Sequence, residues 1–108
     1  MPQLIFKGIA VEQVKAISSV LVRELAELCH CEEDNFTLEI PQSTYVFNQE
    51  EVPAFPFIEV RWFERGQGMQ DQFAEILTKH IQSLSVPEVE VAFSVFREAA
   101  YYYNGKHF

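Results

Sequence analysis

Apolar positions along the chain follow two periods, and the places where one gives way to the other mark out its elements. Val14, Ile17, Leu21, Leu25 and Leu28 stand three and four residues apart, with Lys15, Arg23, Glu24 and Glu27 on the opposite side, which predicts an amphipathic helix. Ahead of it, the apolar run of "MPQLIFKGI" reads as a strand. Behind it, Phe36, Leu38 and Ile40 alternate with Thr37 and Glu39 in "NFTLEI", the period of a half-buried strand. "STYVFN" then predicts one short strand, with Pro41 before it and the polar "NQEE" after it.

The same order returns in the second half. "PFIEVRWF" alternates Ile58, Val60 and Trp62 with Glu59 and Arg61, and so predicts a strand. "GQG" breaks it. A helix follows, with Asp71 in its first turn and a stripe of Met69, Phe73, Ile76, Leu77 and Leu84, stopped by Pro87; a carboxylate suits the positive end of a helix. "VEVAFSV" alternates again, and the chain closes with "AYYYNGKHF".

The two halves align: Pro2 with Pro56, and "TYVFN" from Thr44 with "AYYYN" from Ala100. Residues 1–108 are therefore expected to form a single domain with an internal repeat, 2–48 and 56–104. A helical crossover makes the first two strands of each half parallel. The predicted fold class is α/β, duplicated β-α-β units forming one mixed sheet with two helices on one face. A ferredoxin-like monomer or dimer shares this grammar but lacks the extra short strands. The opposite sheet face would carry Gln3, Ile5, Thr37, Glu39, Glu59, Arg61, Glu90 and Ser94. Sheets that face water show cleaner polar alternation, so this face is expected to line an oligomer interface with Glu–Arg pairing.

Charge narrows the range of partners. The 108 residues carry a formal charge of -8, and phosphate backbones or anionic membrane surfaces call for a basic face. Neither nucleic acid nor membrane is expected as a partner. No apolar run approaches the ~20 residues of a membrane span, and the N-terminus lacks the layout of a signal peptide, so a cytoplasmic location is expected. Cys29 and Cys31 flank His30, while His80 and His107 stand far off. That is neither a four-ligand zinc pattern nor a CxxC pair, and no metal or other cofactor is expected.

Pro2 has two readings. Proline lacks an amide hydrogen and is tolerated at the first residue of a strand. Chemically, removal of Met1 would make Pro2 a free secondary amine, whereas a retained Met1 leaves its nitrogen an amide without basicity. No G-x-S-x-G, P-loop or dinucleotide glycine pattern offers competing chemistry.

An N-terminal "MP" leading into a strand, a doubled β-α-β unit and the tail "YYYNGKHF" together resemble the tautomerase superfamily, of the macrophage migration inhibitory factor type, as an uncharacterised bacterial branch. The resemblance implies a homotrimer with sites at subunit junctions. It implies that Pro2 is the general base of a keto–enol proton transfer on a small-molecule enol or ketone. Arg61, Trp62, Tyr101, Tyr103 and Phe108 are the implied substrate-binding residues, and Tyr102 should point the other way, into its neighbours. The family's substrate-holding arginines are missing: "GIAVEQ" has none, and Glu39 stands at the second position. Cys31 stands at the family's lysine, and Glu90 and Ala92 fall at its tyrosine and asparagine. A dicarboxylate dianion is accordingly not the expected substrate. Arg61 and Arg65 are the cations placed to substitute; each is also readable as a salt-bridge partner of Glu59 or Glu64, Arg65 the more so. The alternative function is a non-catalytic trimeric binding protein of the same fold.

Overall fold

The computed structural model describes residues 2–108. Its centre is a four-stranded mixed sheet in the order β2-β1-β5-β6. Strand β1 (Gln3–Lys7) leads into α1 (Val11–Cys29) and returns through β2 (Thr37–Glu39); β5 (Phe57–Trp62) leads into α2 (Gln67–Gln82) and returns through β6 (Glu90–Val95). Each returning strand lies parallel to its first. The two units join through the antiparallel pair β1–β5, with Gln3 opposite Arg61 and Lys7 opposite Phe57. The duplication extends to single hydrogen bonds: the Pro2 carbonyl accepts from the Thr37 amide at 3.2 Å, and the Pro56 carbonyl from the Glu90 amide at 3.0 Å.

Both helices cover one face. Leu4 and Phe6 of β1, with Ile58, Val60 and Trp62 of β5, meet Val14, Ile17, Leu21 and Leu25 of α1 and Phe73, Leu77 and Ile81 of α2. Aromatic rings concentrate at one end of this core, where Trp62 packs edge-on against Phe73 at 5.0 Å and against Phe93 at 4.9 Å. The opposite face carries Gln3, Ile5, Glu59, Arg61 and Ser94, as the alternation predicts. The Glu–Arg pairing on that face, however, lies within one chain: Arg61 meets Glu59 at 3.2 Å.

Three local expectations change. "STYVFN" is half of a hairpin, because β3 (Tyr45–Phe47) folds back on β4 (Glu50–Val52), which occupies part of the "polar" segment. Asn48 and Gln49 both take positive φ, 53° and 68°, the backbone that a two-residue hairpin turn requires. The tail repeats this device, with Asn104 and Gly105 turning β7 (Tyr102–Tyr103) into β8 (Lys106–His107). Helix α2 ends at Gln82, well before Pro87, because Ser85 takes a left-handed conformation at φ 64°. Asp71 sits beyond the first turn of α2, where it accepts a hydrogen bond from Gln67.

The hairpins stand away from the core as arms. The radius of gyration is 15.0 Å, against roughly 13 Å for a compact chain of this length. Phe47 on the first arm is 74 % exposed.

A polar clamp ties the helices together. His80, nearly buried on α2, hydrogen-bonds Glu24 of α1 at 2.9 Å, and Lys79 reaches the same carboxylate at 3.4 Å. The His80 hydrogen bond, aided by Lys79, holds the Glu24 carboxyl below its ordinary value despite an opposing desolvation.

Two outcomes follow from this packing. Phe73→Ala, which empties a fully buried ring site, should lower unfolding free energy by about 3–5 kcal/mol in denaturant titration. Because the Glu24 pKa is lowered in the folded state, its contribution is complete above the ordinary glutamate value and fades as pH falls through the lowered one. Thermal melts of Glu24→Gln should therefore show a loss of about 1 kcal/mol near neutrality. The gap from wild type should narrow in acid, and an equal gap at all pH values would exclude the clamp.

Candidate active site at the Pro2 end of the sheet

Proline at the start of β1 forfeits no ladder bond, since its carbonyl is the group used, accepting from Thr37. Pro2 is fully buried. Strand alternation puts it on the same side as Leu4 and Phe6, and the β1–β5 register, carried one residue past Gln3–Arg61, sets it across from Trp62. The expected removal of Met1 concerns a residue outside those described.

The predicted site residues divide into groups. Trp62 has no exposed surface and belongs to the core under the helices, adjacent to Pro2 across the strands. Tyr101 and Phe108 pack together around Phe63, at 4.9 and 5.4 Å, with Phe96 closing the cluster at 5.5 Å from Phe63. The Phe108 amide donates to the Tyr101 carbonyl at 3.2 Å, which pins the tail in place. Tyr103 is separate, 68 % exposed on the second arm. Tyr102, expected to turn into its neighbours, is also exposed and touches His107 edge-on at 5.9 Å. On this two-residue strand, the described residues leave both tyrosines largely exposed.

The two arginines exchange roles. Arg61 is engaged by Glu59, whose second carboxylate oxygen accepts from Ser94 at 3.1 Å. These bonds, Arg61 first, lower the Glu59 pKa against partial desolvation. Arg65 has no ion-pair partner among the described residues; its guanidinium carbon lies 5.8 Å from the centroid of the Trp62 ring. Glu64, its expected partner, instead accepts from the Gly66 amide at 2.8 Å. A carboxylate two residues ahead of a helix cap finds the backbone closer than a side chain.

Cys29 ends α1 close enough to Arg65 to feel its charge. Burial pushes the Cys29 thiol up, against a lowering pull from Arg65, so it is a poor thiolate nucleophile. His30, between the cysteines, is the left-handed cap of α1 at φ 54°. Among the described residues, no three His, Cys, Asp or Glu side chains gather as metal ligands, and no helix is long and apolar enough to cross a membrane.

Sequence reasoning missed a groove at the other end of β1. Lys7, Gly8, Ser43, Tyr45 and Pro53 line a cavity of about 340 Å³, and Lys7 and Tyr45 continue into a second of about 330 Å³ with Phe55 and Phe57. Gly8 makes this end possible: at φ 74°, a Cβ would stand 2.8 Å from the Ala54 and Phe55 carbonyl oxygens. The glycine after an apolar strand was the available signal. The length of β1 separates this groove from Pro2 by roughly 17 Å.

Comparison with known proteins places this geometry. The sequence matches the family described as Domain of unknown function (DUF1904) over residues 1–107. No curated protein matches the chain. It is similar to the crystal structure of a DUF1904 domain from Sebaldella termitidis, at 31 % identity, full coverage of both chains and a TM-score of 0.90. It is also similar to a protein of unknown function from Vibrio cholerae, at 31 % identity, 99 % and 87 % coverage and a TM-score of 0.88. More distant likenesses show the fold. A macrophage migration inhibitory factor-like protein from Entamoeba histolytica has 17 % identity, 99 % and 98 % coverage and a TM-score of 0.70. A fused 4-OT described as an asymmetric trimer has 12 % identity, 98 % and 94 % coverage and a TM-score of 0.76. The chain belongs to the DUF1904 family and has the fold of the tautomerase and macrophage migration inhibitory factor superfamily.

Proposed function

We propose that the protein is a homotrimeric tautomerase or isomerase in which Pro2, freed by loss of Met1, is the general base for keto–enol exchange on a small monoanionic enol or ketone. The observation that carries this reading is the setting of Pro2: fully buried at the head of β1, and set across from Trp62 by the β1–β5 register. An α-amino group ordinarily titrates near ~8. Burial disfavours its charged form. Glu39 and Glu59, two of the carboxylates that would oppose this, pair with Ile5, roughly 10 Å along the strand. The neutral amine takes the enol hydroxyl proton as C–O becomes C=O, and the resulting ammonium returns a proton to carbon. Base and acid are the same atom, so no further titrating group is needed for the transfer.

Trimer assembly supplies what a single chain lacks. The open sheet face carries paired charges, β2 and β6 are unpaired edges, and both arms carry exposed aromatics. Unpaired edges and exposed apolar arms are liabilities that association removes. The trimeric 4-OT of the same fold supports this assembly. A non-catalytic trimer is the second reading, and the complete burial of Pro2 favours it, because a strand-capping ring needs no access.

Light scattering of untagged protein should give a trimer, and Phe47→Glu should shift it toward monomer; a wild-type monomer at micromolar concentration would contradict the assembly. Turnover of a phenylenolpyruvate-type substrate should fall by about 10²-fold or more in Pro2→Ala, the typical contribution of a positioned general base. Equal rates would leave Pro2 as a structural cap.

A further inference from the structure

The internal duplication makes one half of the chain a reference for the other. In the second unit, Phe63 directly follows β5 and Phe96 directly follows β6, and the crevice beyond those strand ends is filled by the chain's own rings. Phe63 packs against Phe96 at 5.5 Å, Tyr101 at 4.9 Å and Phe108 at 5.4 Å. In the first unit, the alignment of Pro2 with Pro56 puts Ile9 where Phe63 stands. The alignment of "TYVFN" with "AYYYN" puts Tyr45 at Tyr101 and, continued, Val52 at Phe108. Thr37 and Glu90, which make matching hydrogen bonds to the two proline carbonyls, carry Ser43 to Phe96. Only the tyrosine keeps its ring.

A cavity takes the place of the missing rings. Ile9, Ser43, Tyr45 and Val52 all line the groove of about 340 Å³ at the end of β1, which has the size of a small-molecule pocket. It lies outside the carboxyl ends of the parallel strands β1 and β2, where open α/β sheets hold their ligands. Its walls are fixed, because the Gly8 backbone fits against the Ala54 and Phe55 carbonyls with no room for a side chain. Lys7 lines the groove too, and with Tyr45 continues into the adjoining cavity beside Phe55 and Phe57. Arg61 and Ser94 bond the nearby Glu59 carboxylate, to which Lys7 adds its field. None of the ion pairs among the described residues involves Lys7. The groove thus combines aromatic walls with one uncommitted cation.

We infer that this groove is a binding site of its own for a small planar aromatic carboxylate. The ligand's ring stands where the counterparts of Phe63, Phe96 and Phe108 would, and its carboxylate meets the Lys7 ammonium. Tyr45, Phe55 and Phe57 offer such a ring offset or edge-on contacts, and a partly desolvated setting strengthens a charge-assisted bond to the ammonium. One lysine balances one charge, while the net -8 of the chain disfavours more highly charged anions. The site lies at the opposite end of β1 from Pro2 and does not depend on the proline chemistry.

Amide NMR spectra of the untagged protein, titrated with cinnamate at constant ionic strength, should show saturable shifts of the Gly8 and Ser43 amides. The Trp62 indole N–H, at the other end of the sheet, reports separately on any binding near Pro2. Lys7→Gln should weaken the Gly8 response about 10- to 100-fold, the loss expected for a charge-assisted hydrogen bond, and Lys7→Arg should keep most of it. Val52→Phe leaves Lys7 intact and restores a ring of the second unit. It should melt at or above wild type, as cavity-filling changes do, and lose the Gly8 response, so it decides the matter even if Lys7 variants fail to fold. Pro2→Ala should leave the Gly8 response unchanged, which separates failure of this site from failure of the base. No saturable Gly8 response, or unchanged affinity in Val52→Phe, would overturn the site. Unchanged affinity in Lys7→Gln, or equal affinity for the uncharged cinnamamide, would overturn its carboxylate assignment. A groove filled by a second copy would give no Gly8 response and a Val52→Phe protein that dissociates in light scattering, which equally overturns the ligand site.

Discussion

The antiparallel pairing of β1 with β5 is the contact on which the other features depend. Each β-α-β unit alone has two strands and one helix, too little to bury its apolar face. Pairing Gln3–Lys7 with Phe57–Arg61 makes one continuous sheet, and only then do Leu4, Phe6, Ile58, Val60 and Trp62 share a core with both helices. The same register delivers Pro2 to the side of Trp62. Structure and candidate chemistry therefore share one seam, and a slip of one residue would turn one strand's core positions to the open face.

That seam also explains why charge is distributed as it is. On the open face, Glu59 is satisfied within its own chain by Arg61 and Ser94, so its charge needs no neighbour. At the Pro2 end, Arg65 and Trp62 are left with unused donors. One arginine is neutralised by Glu59 on the open face, and the other lies over the Trp62 indole. Two arginines four residues apart thus belong to different parts of the protein.

Much of the fold was legible because periodicity reports burial directly. The stripe Val14, Ile17, Leu21 and Leu25 is buried as it reads, and Pro2 and Pro56 mark matching strand starts with matching hydrogen bonds. The hairpin arms were not legible. Three-residue strands such as Glu50–Val52 carry no period, and Asn48–Gln49 turns without the glycine that signals a hairpin. The end of α2 was placed at Pro87, when a left-handed Ser85 acts first. In the site, Pro2 could be named from its position alone. The assignment of Arg61 and Arg65 could not, because whether Glu64 turns to a side chain or to the Gly66 amide is decided by the geometry of a helix start.

In the burial described, Pro2 freed of Met1 should be a neutral amine at physiological pH. A ¹⁵N NMR titration of untagged, proline-labelled protein follows that nitrogen alone. The Pro2 resonance should titrate with a midpoint below the ordinary α-amino value near ~8. A midpoint at or above that value, or an amide-like resonance that does not titrate because Met1 is retained, would contradict it.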